Sequence, residues 1–129
     1  MPLAERYEIG SSAVEALARA RQQGGRVIAA GTSVVRALEA AAGDDGNLNA
    51  GGGAATLRLG PDSRLRIVDG LLTGLHEPGT SHFELLDAFT PRALLLRALE
   101  HAARTGYLQH ELGDSCLILA GSLLGQPRA

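Results

Sequence analysis

One stretch constrains the fold more than any other. Between Arg26 and Ala42 a short apolar run, RVIAA, passes directly through Gly31-Thr32-Ser33 into a helix-forming segment, Val34 to Ala42, that Gly43 ends. An apolar run of that length, bounded by glycines, reads as a buried strand, and the tight glycine turn leaves no room for a wide connection. A helix is expected just upstream, over Ser11 to Gln23. There Val14, Leu17 and Ala18 form an apolar stripe, Ser12 and Glu15 have capping-box spacing, and Gly24-Gly25 supply the stop. Helix, strand, glycine turn and helix in series are the order of an α/β domain with parallel strands. The expected fold class is therefore α/β, with a partly parallel sheet flanked by helices.

The middle of the chain is harder to pattern. Residues 43–53, GDDGNLNAGGG, hold five glycines and read as a mobile loop. Beyond it, Ala55 to Leu59 and Arg64 to Leu72 read as a β-hairpin around Gly60-Pro61-Asp62-Ser63. Alternation puts Leu57, Leu59, Leu65 and Ile67 on one face and gathers Arg58, Arg64 and Arg66 on the other. A helix is expected from Ser81, carrying Phe83, Leu86 and Phe89. Thr90 is read as the cap of a further helix with Pro91 in its first position. That helix has Leu94, Leu95, Ala98, Leu99 and Ala102 as its apolar face and Gly106 as its end. SCLILA, Ser115 to Ala120, reads as a buried strand.

Neither side of the glycine-rich loop has enough apolar residues for a core of its own, so residues 1–129 are expected to form a single domain. With 45% hydrophobic and 3% aromatic residues, that core must be built from small aliphatic side chains. The net charge of −2 makes a generally basic nucleic-acid surface unexpected, so any basic patch has to be local. All 12 basic residues are Arg. The lone Cys116 has no internal disulfide partner, which fits a reducing compartment. No apolar run reaches the roughly 20 residues of a membrane span, and the polar start does not read as a leader. A cytoplasmic location is expected.

Several positions invite chemistry. Backbone N–H groups at a helix start, beside the hydroxyls of Thr32 and Ser33, suit a carboxylate or phosphate, and Arg36 one turn on would add a bidentate donor. An ordinary helix cap with a solvated Arg36 is the alternative. Asp69 interrupts an apolar run, and by alternation it points inward and needs a partner. Gly113-Asp114 precedes the last strand, where Asp114 either binds a polar ligand or opens an Asx turn. His76, His82, His110 and Asp114 have no zinc-site spacing, so no metal is expected.

Three segments in series resemble the S-adenosylmethionine:tRNA ribosyltransferase-isomerase (QueA) family. They are Glu5-Arg6-Tyr7-Glu8 leading to GGRVIAAGTSVVRALEAA, then Gly51 to Gly53 leading to IVDGLLTGLHEPGTS, then TGYLQHELGDSCLIL. The resemblance is to the C-terminal third of the family. It departs at Val34, at Glu77 and Gly79, and at Ala54-Ala55-Thr56, as expected of a divergent or truncated member. It implies an α/β fold that is incomplete here, without the family's N-terminal strands and β-barrel insertion. It also implies transfer and rearrangement of the ribosyl group of S-adenosyl-L-methionine, a co-substrate, onto 7-aminomethyl-7-deazaguanine in tRNA. The product is epoxyqueuosine, a step of queuosine biosynthesis. Under that resemblance His76 and Asp69 are the acid–base or positioning candidates. Gly31, Thr32, Ser33, Arg36, Thr73 and Asp114 are candidates for substrate contact, and Arg58, Arg64 and Arg66 for tRNA phosphates. A separate N-terminal polypeptide or self-association would complete the fold. A non-catalytic module that binds a nucleoside or a partner polypeptide is the rival expectation.

Overall fold

The computed structural model describes residues 4–74, 81–107 and 114–120. In chain order the elements are β1 (Glu5–Ile9), α1 (Ser11–Gln22), β2 (Ile28–Ala30), α2 (Thr32–Ala41), β3 (Gly51–Ala55), β4 (Gly70–Gly74), α3 (Ser81–Leu86), α4 (Arg92–Thr105) and β5 (Ser115–Leu119). The mixed α/β class matches the sequence expectation, and the described strands fall into two sheets. One is a three-stranded sheet of order β2-β4-β5, with β2 parallel and β5 antiparallel to the central β4. The other is a two-stranded antiparallel ribbon, β1 with β3, in which Glu5 faces Ala55 and Ile9 faces Gly51.

The strand–turn–helix unit forms as its sequence requires. Ala29 is buried on β2, and α2 then packs back over the sheet through Val35, Leu38 and Ala41. These side chains join Leu71 of β4 and Ile118 of β5 in one core, with Ile67, Val68, Phe83, Leu86 and Phe89. α1 adds Val14 and Leu17, both half-buried. Its capping box is not formed: Gly10 occupies the N-cap position without a side-chain hydrogen bond. α4 likewise begins at Arg92, with Pro91 rather than Thr90 in the capping position. Leu95 and Ala102 of α4 are buried, whereas Leu94 remains exposed. The turn between α3 and α4 is fastened by the buried Asp87, whose Oδ2 accepts from Arg92 Nε (3.1 Å) and Nη2 (2.6 Å).

The expected hairpin is the main correction. Its turn exists, since Ser63 N–H donates to Gly60 O at 3.0 Å, but Thr56 to Asp69 contribute no strand. Three main-chain donors of its second arm go instead to one carboxylate on α2. Glu39 accepts from the N–H of Arg66 (2.6 Å, Oε1), Ile67 (2.9 Å, Oε2) and Val68 (2.8 Å, Oε2). A buried N–H must find an acceptor, and a buried carboxylate needs several donors. Each requirement meets the other here, and the segment is held without a ladder. The loop expected over 43–53 is corrected too. Its first half is a tight turn in which Asn47 N–H donates to Asp45 Oδ1 at 3.0 Å, which holds the Asp45 carboxyl below its usual range. Its glycines at 51–53 belong to β3.

Candidate functional site

In a parallel pair both strands end at the same edge, and here that edge carries most of the expected site. β2 runs into Gly31, whose N–H donates to Leu72 O of β4 at 2.9 Å. The register sets Ala30 beside Leu72, so the Gly31-Thr32-Ser33 turn meets Thr73 and Gly74 at the carboxyl ends of the strands. Gly31 turns the chain with φ 101° and ψ 149°, a conformation that a side chain at this position would strain. Only with that backbone can α2 start immediately after β2. On the other side of β4, Ser115 pairs with Gly74, which brings the exposed Asp114 to the same rim. Thr32, Ser33, Thr73 and Asp114 are thus gathered at one edge. His76 and His110 lie outside the described residues, as does the side chain of His82.

Two neighbours of this rim have partners inside the protein. Arg36, buried on α2, forms an ion pair with Glu5 of β1 and donates from Nη2 to Ala55 O of β3 at 3.0 Å. Ser33 Oγ donates to the other Glu5 oxygen at 2.7 Å. Arg36 therefore ties the β1–β3 ribbon to α2, and Glu5 stands beside the start of that helix. Sequence reasoning did not single out Glu5. Its only signal was a carboxylate in the Glu5-Arg6-Tyr7-Glu8 segment, with nothing local to link it to Arg36.

Asp69 is placed elsewhere. It precedes β4, at the amino end of the sheet, and its Oδ2 accepts the N–H of Val27 at 2.8 Å. It lies four residue steps from Thr73, a run of roughly 13 Å at strand rise. The inward partner expected for Asp69 is thus the main chain leading into β2, and the structure does not bring Asp69 to the rim.

The three arginines also separate once the hairpin is replaced. Arg58 donates from Nε to Glu84 Oε2 at 2.9 Å, on the α3 side. Arg66 lies 3.5 Å from Asp44 and donates to Gly43 O. Arg64 is exposed and lines, with Arg66 and Arg21, a cleft of about 930 Å³ between α1 and the 44–48 turn. Among the described residues no three His, Cys, Asp or Glu side chains converge as a metal site would require, and no helix is long and apolar enough to cross a membrane.

A profile of the family described as "Queuosine biosynthesis protein" matches residues 2–118. The chain belongs to that family. Relatives named S-adenosylmethionine:tRNA ribosyltransferase-isomerase include one from Pelobacter propionicus, 40% identical over 114 residues, which make up 88% of this chain and 33% of the relative. One from Azoarcus sp. is 42% identical over the same shares of the two chains. The crystal structure of an S-adenosylmethionine tRNA ribosyltransferase from Thermotoga maritima superposes with a TM-score of 0.78 at 28% identity, covering 88% of this chain and 40% of that one. The chain thus spans about a third of the length of the curated relatives it matches. The resemblance read from its motifs and the two-sheet α/β architecture both agree with this membership of the queuosine biosynthesis family.

Proposed function

We propose that this chain supplies the C-terminal part of an S-adenosylmethionine:tRNA ribosyltransferase-isomerase, acting in the cytoplasm in queuosine biosynthesis. The observation that supports it most is the common rim: the β2–α2 turn, the end of β4 and the start of β5 meet where a parallel sheet places its ligands. In this reading the first-turn N–H groups of α2 and the Thr32 hydroxyl hold a polar end of S-adenosyl-L-methionine. Thr73 and Asp114 orient its ribosyl hydroxyls, with Asp114 accepting hydrogen bonds. Ser33, Arg36 and Glu5 keep the helix start in register with the ribbon. His76, which follows β4 by two positions in sequence, serves as the acid–base group that moves a proton during ribosyl transfer to the 7-aminomethyl-7-deazaguanine base of tRNA. Asp69 positions β4 from its other end. Arg64, on the open cleft, is the phosphate contact left to tRNA, while Arg58 is engaged by Glu84 and Arg66 by Asp44.

Calorimetric titration of S-adenosyl-L-methionine, followed by adenine release with precursor tRNA, tests the reading. Thr32→Val and Asp114→Asn should each weaken binding about tenfold, the worth of one good polar contact, while Asp69→Asn leaves the affinity unchanged. No binding to the chain, alone or completed by the rest of the family fold, would overturn it. Because the chain spans a third of its relatives, a second reading is a non-catalytic module that binds a nucleoside or a partner polypeptide. That reading predicts binding without adenine release. Completion by an N-terminal polypeptide or by self-association belongs to the first reading.

A further inference from the structure

β1 turns three side chains the same way. Ile9 is buried in the core, Tyr7 is half-buried against it, and Glu5 ends the row at the first residue of the strand. Arg6 and Glu8, which alternate with them, are exposed. A carboxylate that ends an otherwise apolar row needs partners. Glu5 has two on α2: it is ion-paired with Arg36 and accepts from Ser33 Oγ at 2.7 Å. The two members of the ion pair are not equally accessible. The Arg36 side chain is 9% exposed, and its buried Nε has no acceptor among the described residues, whereas the Glu5 side chain is 41% exposed. Arg36 therefore holds the carboxylate from the protein side, and Glu5 is the member that a bound molecule can reach.

The pair thus turns its negative end to the rim. The start of α2 brings a positive end to the same place, because the first-turn N–H groups of a helix carry its partial positive charge. Ser33 stands in that first turn, so its hydrogen bond to Glu5 sets the two ends side by side. Adjacent positive and negative ends match a zwitterion whose carboxylate and ammonium sit on one carbon, which is the chemistry of an α-amino acid.

We infer that Glu5 is a specificity residue of the rim: it receives the α-ammonium group of the co-substrate, next to the α2 start that receives the neighbouring carboxylate. The inference rests on the reading above that S-adenosyl-L-methionine binds at this edge. It deepens that reading by naming the end of the molecule that lies against α2 and the side chain that recognises it. Thr73 and Asp114, at the end of β4 and the start of β5, are left to the ribosyl part, so the nucleoside extends from α2 across β4 towards β5. An ammonium group donates charge-assisted hydrogen bonds to a carboxylate, and a nucleoside without an amino group on its side chain offers Glu5 nothing of the kind.

The test is a calorimetric titration of the full chain with two probes: S-adenosyl-L-methionine, and its deamino analogue, in which hydrogen replaces the amino group. The unaltered chain should prefer S-adenosyl-L-methionine by about tenfold. Glu5→Gln keeps an oxygen for Ser33 and Arg36 but removes the charge. It should weaken S-adenosyl-L-methionine by about tenfold, leave the analogue within about twofold, and so erase the preference. Ser33→Ala, which cuts the tie to α2 and leaves the carboxylate, should keep the preference. Asp114→Asn should weaken both probes alike. An equal loss of both probes in Glu5→Gln means that Glu5 only props the helix start, and overturns the inference. So does an unaltered chain that binds the two probes equally, or a preference that Asp114→Asn erases. These last two results need no change at Glu5, so they decide even where a circular dichroism melt shows Glu5→Gln to be unfolded. In each of these cases S-adenosyl-L-methionine still binds, and the reading of the rim stands without Glu5. A chain that binds neither probe overturns both.

Discussion

At the scale of single residues, the protein makes its backbone depend on a few side chains that look ordinary in sequence. Glu39 occupies the middle of an amphipathic helix, where a carboxylate is usually solvated; here it is buried and accepts from three main-chain N–H groups. Glu39→Gln keeps one acceptor oxygen but loses the charge, and should cost about 3 kcal/mol by the usual worth of hydrogen bonds to buried charged groups. Urea unfolding of the variant measures it. Gly31→Ala forces a side chain into a left-handed backbone and should cost about 2 kcal/mol. The substitution should also weaken co-substrate binding, because it displaces the α2 start. Cys116 sets a pH signature. Burial pushes its thiol above the usual 9.0, so the folded state keeps the proton longer than the unfolded chain does. The stability tied to that proton is complete below pH 9 and declines as pH rises beyond it. Iodoacetamide labelling at pH 8 should therefore be slower in the native protein than in urea.

Among the elements, legibility followed local pattern. The β2-turn-α2 unit was readable because Val27, Ala29, Val35 and Leu38 repeat at strand and helix spacing and Gly31 stands between them. β5 and α4 were readable for the same reason; Thr32 and Thr73 meet through the parallel β2–β4 pairing, and Asp114 joins them because β5 runs antiparallel to β4. β3 was not legible: GGGAA has almost no strand propensity and is a strand because β1 pairs with it. The hairpin misled because Leu57, Leu59, Leu65 and Ile67 do alternate. The N–H groups of Arg66, Ile67 and Val68, however, go to Glu39, a residue far away in sequence. Arg36 and Glu5 were invisible as a pair on the same grounds. A double-mutant cycle with Arg36→Met and Glu5→Gln should give a coupling of about 1 kcal/mol, modest because the Glu5 side chain is 41% exposed. The total loss in Arg36→Met should be larger, since Ala55 O also loses its donor.

For the molecule as a whole, the ribbon and the three-stranded sheet form one body through α2. Arg36 reaches the ribbon and Glu39 reaches the segment entering β4, and the two lie one helical turn apart. Both contacts depend on the same rotational phase of the helix. Adding one residue between positions 36 and 39 turns everything beyond it by about 100°, which aims at most one of the two side chains correctly. Such a lengthened chain should lose its cooperative thermal transition, whereas an extra residue in the exposed 44–47 turn should be absorbed. Over the span from Arg36 to Glu39, spacing is therefore less free to drift than residue identity, and descendants of this protein can vary their side chains there more readily than their length.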